Sequence, residues 1–307
     1  MNIFEKTIFI SMPAYNEEDL QQTIKSALSN AEYPDRIYFG IFYHNSEEQH
    51  ENINYPNTRV IYAKYPNTLG IGISRANAAS LYDGQDYFFQ IDSHMLFEKK
   101  WDSKILLQME NLLNITDKPI ISTYVPWWAR LEDGTILQYS PESNFICSPM
   151  KYMGFLYEGH PAFTLDDKTY ENGKDYIEHY GIAGHFIFTV GSFQQDVMPD
   201  PLDMFEGEEE TIAVRAWTRG YRIFCIKNPI AFHKNKGIGI LNPKDRRHYF
   251  GPQDEHDFYV RKNKIFRKRT RDILTGKIVG YWGAESLEKL REYEMKAGID
   301  FNKVYNI

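Results

Sequence analysis

The stretch YFFQIDSHMLFEKKWD (residues 87–102) combines an apolar strand with two side chains that can bind a metal ion. Residues 86–92 are apolar nearly throughout, which is typical of a strand covered on both faces of a sheet. Asp92 and His94 follow at the end of this strand, and residues two apart in an extended chain point to the same side. Because Asp and Ser also favour turns, the triplet alone fits a structural turn better than a divalent-metal site.

Strand and helix patterns alternate through the first half of the chain. Runs rich in β-branched and aromatic residues predict strands, and the amphipathic runs between them predict helices. The predicted strands cover 7–15, 36–44, 58–66, 86–92 and 119–125, and the predicted helices cover 20–31, 74–84 and 101–113. This order predicts the α/β fold class, with a mostly parallel central sheet flanked by helices.

The second half of the chain has a less regular pattern. Residues 126–180 carry Pro, Gly and aromatic residues without a clear period, which predicts long loops and short strands. Beyond them, the pattern predicts strands and helices in the order strand 185–193, helix 209–221, strand 222–233 and helix 284–298. Residues 234–271 are rich in Lys and Arg, and we expect a partly ordered basic loop there.

Two polar segments follow predicted strands of this sheet. Residues 13–17, with the sequence Pro-Ala-Tyr-Asn-Glu, follow the first strand, and residues 92–94 follow the fourth. Ligands of open α/β sheets bind at the carboxyl ends of parallel strands. The two segments are therefore expected to lie close together, which is the first reason to favour the metal hypothesis.

The composition excludes several classes of protein. With 307 residues, 42% hydrophobic content and a net charge of −7, the chain fits one large or two small domains and not a general nucleic-acid binder. Cys147 and Cys225 form no disulfide framework, which favours a reducing, cytoplasmic location. The N-terminal apolar segment is too short for a signal peptide, and no run of about eighteen apolar residues exists, so we expect no membrane contact.

Several segments, taken in order, resemble one family of sugar transferases. They are GIGISRANA (70–78), QIDSHMLFEKKWD (90–102), YGIAGHFIFTVGSF (180–193), MFEGEEETIAVRAWTRGY (204–221) and GYWGAESLEKLREYEMKAGIDF (280–301). They are similar to cytoplasmic polypeptide N-acetylglucosaminyltransferases that modify hydroxyproline in a ubiquitin-ligase subunit, and to their bacterial and viral relatives. The resemblance covers nearly the whole chain. It implies the GT-A fold, with a Rossmann-like nucleotide-binding half, and a UDP-sugar donor.

The resemblance also implies a metal site built on an Asp-x-His motif. Asp92-Ser93-His94 resembles the Asp-x-Asp motif of these enzymes with His in the last place, and His233 matches the position of a third ligand. A divalent cation neutralises the charge that develops on a diphosphate leaving group. Mn²⁺ and Mg²⁺ both favour oxygen ligands, and Mn²⁺ tolerates imidazole better. We therefore expect Asp92, His94 and His233 to bind Mn²⁺ or Mg²⁺.

Further residues are expected to bind the nucleotide-sugar. Residues 13–17 resemble the uracil- and ribose-binding loop of the family. Arg75 follows a glycine-rich bend similar to the family's Gly-x-x-x-Arg-Asn segment, although Ala76 interrupts the Arg-Asn pair, and a solvated helix arginine is the alternative. The residues expected to contact the donor are Pro13, Ala14, Tyr15, Asn16, Glu17, Arg75, Ser93, His185 and Trp217.

Glu208 and Glu209 resemble the acidic motif that lies near the acceptor in this family. Capping of the following helix is the alternative reading, because helix N-termini favour acidic side chains. In inverting members the second acid acts as a general base on the acceptor hydroxyl. The resembled hydroxyproline enzymes are retaining, and there the acid would orient the acceptor or stabilise positive charge on the sugar. Glu209 is expected to matter most, and Glu208 next.

The resemblance favours transfer of GlcNAc or a related sugar, with retention, to a protein hydroxyl. We expect a catalytic domain over 1–233, with a nucleotide-sugar half (1–125) and an acceptor half (126–233), and an extension over 234–307 packed on it. Two alternatives remain open. The basic residues between 234 and 271 could follow a phosphate backbone, making a hydroxylated DNA base the acceptor. The chain could also be a degenerate, non-catalytic sugar-binding module, because His stands in place of the second Asp.

Aromatic residues in the irregular middle of the chain have two readings. They can stack on a sugar ring, or they can form a local hydrophobic cluster, which is at least as consistent with the sequence. These residues are Tyr124, Trp127, Trp128 and Phe145.

Overall fold

The computed structural model describes most of the chain. The described residues are 5–45, 52–64, 69–131, 133–138, 146–157, 159–234 and 253–307, with side chains in the last range from 264 onward. Phe145 and the basic side chains between 235 and 263 lie outside the described residues and side chains. No helix in the described part of the chain is long and apolar enough to cross a membrane.

Helices within the described ranges are eight in number. They are α1 (Leu20–Asn30), α2 (Ile71–Ala79), α3 (Trp101–Leu113), α4 (Phe193–Asp196), α5 (Glu208–Thr218), α6 (Gln253–Leu274), α7 (Leu287–Ala297) and α8 (Phe301–Val304). A short 3₁₀ turn at Pro34–Arg36 precedes the second strand.

The strands of the described ranges form three sheets. They are β1 (Ile8–Tyr15), β2 (Ile37–Asn45), β3 (Thr58–Lys64), β4 (Tyr87–Ile91), β5 (Met95–Phe97), β6 (Pro119–Ser122), β7 (Trp127–Arg130), β8 (Ile136–Gln138), β9 (Met150–Tyr157), β10 (His160–Leu165), β11 (Tyr176–His179), β12 (Phe186–Val190), β13 (Arg222–Ile226) and β14 (Ala231–Lys234).

The central sheet confirms the predicted α/β class. Its strand order is β11-β13-β6-β12-β4-β1-β2-β3. β12 runs antiparallel to β4 and β6, and β11 runs antiparallel to β13, while the other neighbouring pairs are parallel. Helices cover both faces: Ile10 of β1 packs in a buried cluster with α1 and α3, and Phe9 packs in a second cluster with α2, α5 and α7.

The pairing of β1 with β4 brings the two polar segments together. Ser11 pairs with Gln90 in parallel register, so both strands end at the same edge of the sheet. The chain leaves β1 through Asn16, which has a positive φ of 45° and donates its N–H to the His44 carbonyl at 3.0 Å. The loop after β1 therefore starts beside Asp92, as the sequence predicted.

A four-stranded sheet in the order β5-β14-β7-β8 adjoins this edge. The single strand predicted over 222–233 is wrong, because β13 ends at Ile226 in the central sheet and β14 begins at Ala231 in the small one. Pro229, which has no N–H for a sheet hydrogen bond, lies between the two strands. β14 pairs antiparallel with β5, and this pairing places His233 opposite Met95.

The irregular middle contains the strands β7 to β11, in agreement with the short strands predicted there, and both β7–β8 and β9–β10 are hairpins. The prediction of a basic loop needs correction. The basic segment is not a loop throughout, because α6 covers Gln253–Leu274. Its last turns carry Thr270 and Leu274, which are fully buried and face the rest of the fold. Basic residues with good helix propensity fit one exposed helix face as well as they fit a loop.

α2 begins three residues earlier than the sequence predicted, because both glycines of the bend have structural roles. Gly70 caps the helix with a φ of 89°, a conformation that favours glycine. Gly72 lies against the segment before α5, where its N–H donates to the Asp203 carbonyl at 2.9 Å. A Cβ on Gly72 would lie 2.0 Å from the Asp200 carbonyl oxygen and 2.7 Å from that of Asp203.

We expect Gly72→Ala to lower the free energy of unfolding by about 1–3 kcal/mol, because the added methyl group meets backbone that must shift. A loss of stability would be diagnostic of close packing at Gly72, because replacing Gly by Ala in a helix interior otherwise stabilises the helix by about 1 kcal/mol. Denaturant unfolding followed by circular dichroism measures the difference. Ser80→Ala, at the exposed end of the same helix, is the control and should change stability by about 0.5 kcal/mol or less. A Gly72→Ala protein more stable than wild type would contradict the close packing.

Candidate active site

A cleft of about 470 Å³ opens at the carboxyl ends of β1 and β4. Most residues that the sequence predicted for the site line this cleft. They are Pro13, Ala14, Tyr15, Glu17, Arg75, Asp92, Ser93, His94, His185, Glu208, Glu209 and His233. The shared edge of the sheet and the adjoining small sheet thus bring together residues spread over more than two hundred positions.

Asp92, His94 and His233 form a compact cluster in the cleft. Their ligand atoms all lie within 4.8 Å of one another. His94 Nε2 is 3.1 Å from His233 Nε2 and 3.9 Å from Asp92 Oδ2, and His233 Nε2 is 3.2 Å from the same Asp92 oxygen. His94 is buried, whereas the other two are half-buried and open toward the cleft.

The donor set of this cluster fits a divalent cation. Two ligands at about 2.1 Å from an octahedral ion, at right angles to each other, lie about 3 Å apart. The 3.1 Å and 3.2 Å separations match that spacing. Two imidazole nitrogens and one carboxylate oxygen suit Mn²⁺ better than Mg²⁺, which prefers oxygen ligands throughout. Asp92, His94 and His233 would therefore hold the ion.

The charge state of Asp92 suits a ligand. Burial by itself would raise the pKa of Asp92, but the hydrogen bond from His233 and the charge of Arg75 outweigh burial and hold this pKa well below its usual value. The carboxylate is therefore ionised at neutral pH. His94 Nδ1 contacts Glu17 on the other side of its ring, at 2.8 Å.

Arg75 connects the metal cluster to the acidic pair. Its guanidinium lies 3.0 Å from Asp92 Oδ1 and 3.3 Å from Glu208 Oε1, and it also donates to the Gly184 carbonyl. The contact with Glu208 is an ion pair without hydrogen-bond geometry, because this oxygen accepts no hydrogen bond from the described residues. Only 5% of the Arg75 side chain is exposed, so it is not the solvated helix arginine of the alternative reading.

Glu208 and Glu209 begin α5, but both side chains turn into the cleft and do not cap the helix. Burial raises the pKa of Glu208 to about 7, and the charge of Arg75 opposes this shift. Burial also raises the pKa of Glu209, whose oxygens accept from the Gly184 N–H at 2.6 Å and from the Tyr124 hydroxyl at 3.2 Å. Contacts with Arg75, Gly184 and Tyr124 thus hold the acidic pair in the cleft lining.

Gly184 is a site residue that the sequence analysis did not single out. Its N–H donates to Glu209, and its carbonyl accepts from Arg75 and from Gln90, the latter at 2.9 Å. A Cβ at this position would lie 3.1 Å from an Arg75 nitrogen. The Ala-Gly pair before His185 could have predicted this role, because small residues often stand where another group approaches the backbone closely.

His185 lies beside the metal cluster as a neutral imidazole. Its ring is 4.6 Å from that of His233 and stacks on that of Tyr124 at 5.7 Å. Burial, together with His233, lowers the pKa of His185 to about 3. Its Nε2 is buried and has no hydrogen-bond partner among the described residues. Tyr124 lines the cleft too, which supports a role at the site for one of the four aromatic residues considered.

Three predicted residues have other positions. Trp217 does not line the cleft and packs against Tyr293, with ring centroids 5.6 Å apart. Asn16 forms the backbone turn after β1 and is not part of the cleft lining. Trp128 is fully buried and donates its Nε1 hydrogen to the His94 carbonyl at 3.0 Å, so it belongs to the support of the metal cluster.

One wall of the cleft is apolar and was also not predicted. It is formed by the β9–β10 hairpin and by the segment before α5, and these elements contribute Tyr157, Ala162, Phe163, Met204 and Phe205. No periodic pattern marks these residues in the sequence, because they come from a hairpin and a loop.

We expect Arg75→Ala to lower the free energy of unfolding by about 3–5 kcal/mol, because it leaves Glu208 and Asp92 without their buried cation. Chemical denaturation of the metal-free protein measures this change. Arg59→Ala is the matched control, since Arg59 pairs with Asp83 at the surface, where an ion pair contributes about 1 kcal/mol or less. Equal losses for the two variants would contradict the role of Arg75 as a buried bridge.

Comparisons with known proteins give one family match and two similar structures. A family profile described as Glycosyltransferase (GlcNAc) matches residues 47–297. A search of curated proteins finds no match. The structure of GalNAc-T7 with UDP, GalNAc and Mn²⁺ is similar at 12% identity with a TM-score of 0.56, covering 95% of this chain and 55% of that chain. S. aureus TarS 1–349 in complex with UDP-GlcNAc is similar at 12% identity with a TM-score of 0.46, covering 88% of this chain and 71% of that chain.

This chain thus spans about half the length of the GalNAc-T7 chain. The likeness to GalNAc-T7 shows a common fold, the GT-A fold, in agreement with the sequence expectation. The family profile covers most of the chain, including Arg75, Asp92 and His233. The extent of this match shows that the chain belongs to the Glycosyltransferase (GlcNAc) family.

Proposed function

We propose that this protein is a metal-dependent glycosyltransferase that moves GlcNAc or a related sugar from a UDP-sugar to a hydroxyl acceptor. The observation that carries this proposal is the cluster of Asp92, His94 and His233 in a cleft shared with Arg75 and the acidic pair. The family match supports the sugar, and the fold shared with GalNAc-T7 supports a nucleotide-sugar cleft at this edge of the sheet.

Each part of the cleft has a role in this proposal. The end of β1, with Pro13, Ala14 and Tyr15, lines the cleft where it would contact the nucleoside. A bound Mn²⁺ or Mg²⁺ would neutralise the charge that develops on the diphosphate. Arg75, Gly184 and Glu209 form a polar corner in which the sugar hydroxyl and acetamido groups would find charged and backbone partners. Neutral His185 offers a further ring nitrogen beside the cluster.

We propose that transfer proceeds with retention, as the resemblance to the hydroxyproline enzymes implies. The Glu209 oxygens accept hydrogen bonds from Gly184 and Tyr124, which hold the carboxylate in place and leave acceptor sites for a substrate. Glu209 would then orient the substrates. The bond from the anomeric carbon to the UDP oxygen breaks, the acceptor oxygen bonds to the same face, and the acceptor proton passes to the departing phosphate.

The acceptor that we propose is a protein hydroxyl. The apolar wall with Tyr157, Phe163 and Phe205 suits a polypeptide segment, because aromatic and aliphatic side chains bury well against such surfaces. The main alternative was hydroxylated DNA, based on the basic segment. Its described basic residues do not support a phosphate track, because Arg267 pairs with Glu206 and Arg269 pairs with Asp200.

We expect Asp92→Asn to reduce UDP release about 100-fold or more, because it removes the charged ligand without changing side-chain size. The assay supplies UDP-GlcNAc, UDP-GalNAc or UDP-glucose with Mn²⁺ or with a chelator, and it needs no acceptor. Asp83→Asn, an exposed aspartate with 65% of its side chain accessible, is the matched control and should behave like wild type. A fully active Asp92→Asn enzyme would exclude the metal assignment. Wild-type protein that neither releases UDP nor binds it in Mn²⁺ would favour the degenerate sugar-binding module.

We expect a peptide that carries hydroxyproline, Ser or Thr to accelerate UDP release, and duplex DNA with hydroxymethylated bases to leave it unchanged. The same peptide without the hydroxyl group is the control. Proton NMR of the glycopeptide should give the small anomeric coupling of an α-linkage, the outcome expected for retention. A β-linked product would show inversion and return Glu209 to the role of general base, and transfer to DNA alone would overturn the protein acceptor.

A further inference from the structure

We infer that Glu17 is a positioning residue that holds the His94 ring in the orientation needed to bind the metal ion. This inference rests on the proposed metal-dependent function and deepens it. The sequence placed Glu17 in the loop expected to contact the uracil and ribose. In the structure its carboxylate lies against a metal ligand instead.

The contact between the two side chains determines which nitrogen of His94 faces the cluster. Glu17 Oε2 lies 2.8 Å from His94 Nδ1. A carboxylate can only accept a hydrogen bond, so the hydrogen of the ring belongs on Nδ1. In a neutral imidazole this leaves the lone pair on Nε2, which is the atom 3.1 Å from His233 and 3.9 Å from Asp92. A carboxylate behind a ligating histidine orients the ring and increases its basicity.

The Glu17 side chain is itself held in place. Its other oxygen, Oε1, accepts the Asp19 backbone N–H at 3.2 Å. The left-handed conformation of Asn16 turns the chain out of β1 just before Glu17. The side chains of Glu17 and His94 are only 4% and 9% exposed, so water competes little for their hydrogen bond. The pair therefore has the burial and geometry of a fixed support.

The same short segment also supports the strand that carries the third ligand. Asp19 is buried and accepts from Arg130 at 2.5 Å and from Lys234, the residue after His233. The backbone N–H of Lys234 in turn donates to the His94 carbonyl at 3.1 Å. The loop after β1 thus contacts His94 through Glu17, and it contacts Lys234, the residue after His233, through Asp19.

The inference is tested by titrating the nucleotide-free protein with Mn²⁺ and measuring the dissociation constant by calorimetry or by the EPR signal of free Mn²⁺. Glu17→Ala should weaken Mn²⁺ binding about 10–100-fold, the usual effect of losing an outer partner of a metal ligand. Glu17→Asp, whose shorter side chain withdraws the carboxylate from His94, should weaken it as well. Glu17→Gln keeps an oxygen that can accept the His94 hydrogen bond, and we expect its Mn²⁺ affinity to fall by no more than about tenfold.

Glu18→Ala is the matched control, because Glu18 is the neighbouring carboxylate, its side chain is 72% exposed, and it lies 3.5 Å from Lys234. It should bind Mn²⁺ like wild type. A second readout separates positioning from a general loss of structure: raising Mn²⁺ should restore the UDP release of Glu17→Ala toward the wild-type maximum. The thermal midpoint of the metal-free variant should at the same time stay above the assay temperature.

Three outcomes decide the matter. Weaker Mn²⁺ binding by Glu17→Ala or Glu17→Asp supports the inference if Glu18→Ala binds Mn²⁺ with wild-type affinity. If Glu17→Ala does not fold, Glu17→Asp alone provides the test. Wild-type affinity in both Glu17 variants overturns the inference and leaves the proposed function intact. Wild-type protein that binds no Mn²⁺ overturns both the inference and the metal dependence of the proposed function.

Discussion

The antiparallel pairing of β5 with β14 is the constraint on which the site depends. β5 continues directly from the Asp-x-His motif, and β14 carries His233, 139 positions beyond His94. Their backbone hydrogen bonds fix the two histidine rings beside Asp92 before any metal binds. A cluster of ligands that is held by a sheet loses less conformational freedom on binding an ion than a cluster on flexible loops. This small sheet turns the edge of the larger sheet into a cleft that contains the Asp92, His94 and His233 cluster.

Buried charge extends from this cluster to the opposite wall of the cleft. Arg75 contacts Asp92 and Glu208, and Gly184 contacts Arg75 and Glu209 through its two backbone groups. Such a network is stabilising only while its members remain paired, because an unpaired buried charge is costly. The ligands and the acidic pair are therefore coupled in position.

Local patterns in the sequence predicted the elements that are both regular and buried. β1, β4, α1 and α3 agree with their predicted segments because strand runs and helical periodicity reflect burial against near neighbours. The first loop and the Asp-x-His motif were placed together by the general rule for the ends of parallel strands. The split between β13 and β14 was missed, because the strands with which they pair are remote in sequence. The helix at Gln253–Leu274 was missed because its basic residues also suited a loop.

The sequence by itself determined the α/β class, and it singled out the three candidate metal ligands and the acidic pair, since these follow from periodicity, strand ends and resemblance. Only the tertiary structure decided the partners of those side chains. Glu17 belongs behind His94, Arg75 belongs between two acids, and Trp217 belongs against Tyr293 outside the cleft. The physical reason is that burial and hydrogen bonding at the site come from segments brought together by long-range strand pairing. A one-dimensional pattern records which residues prefer to be buried, but not which of them meet.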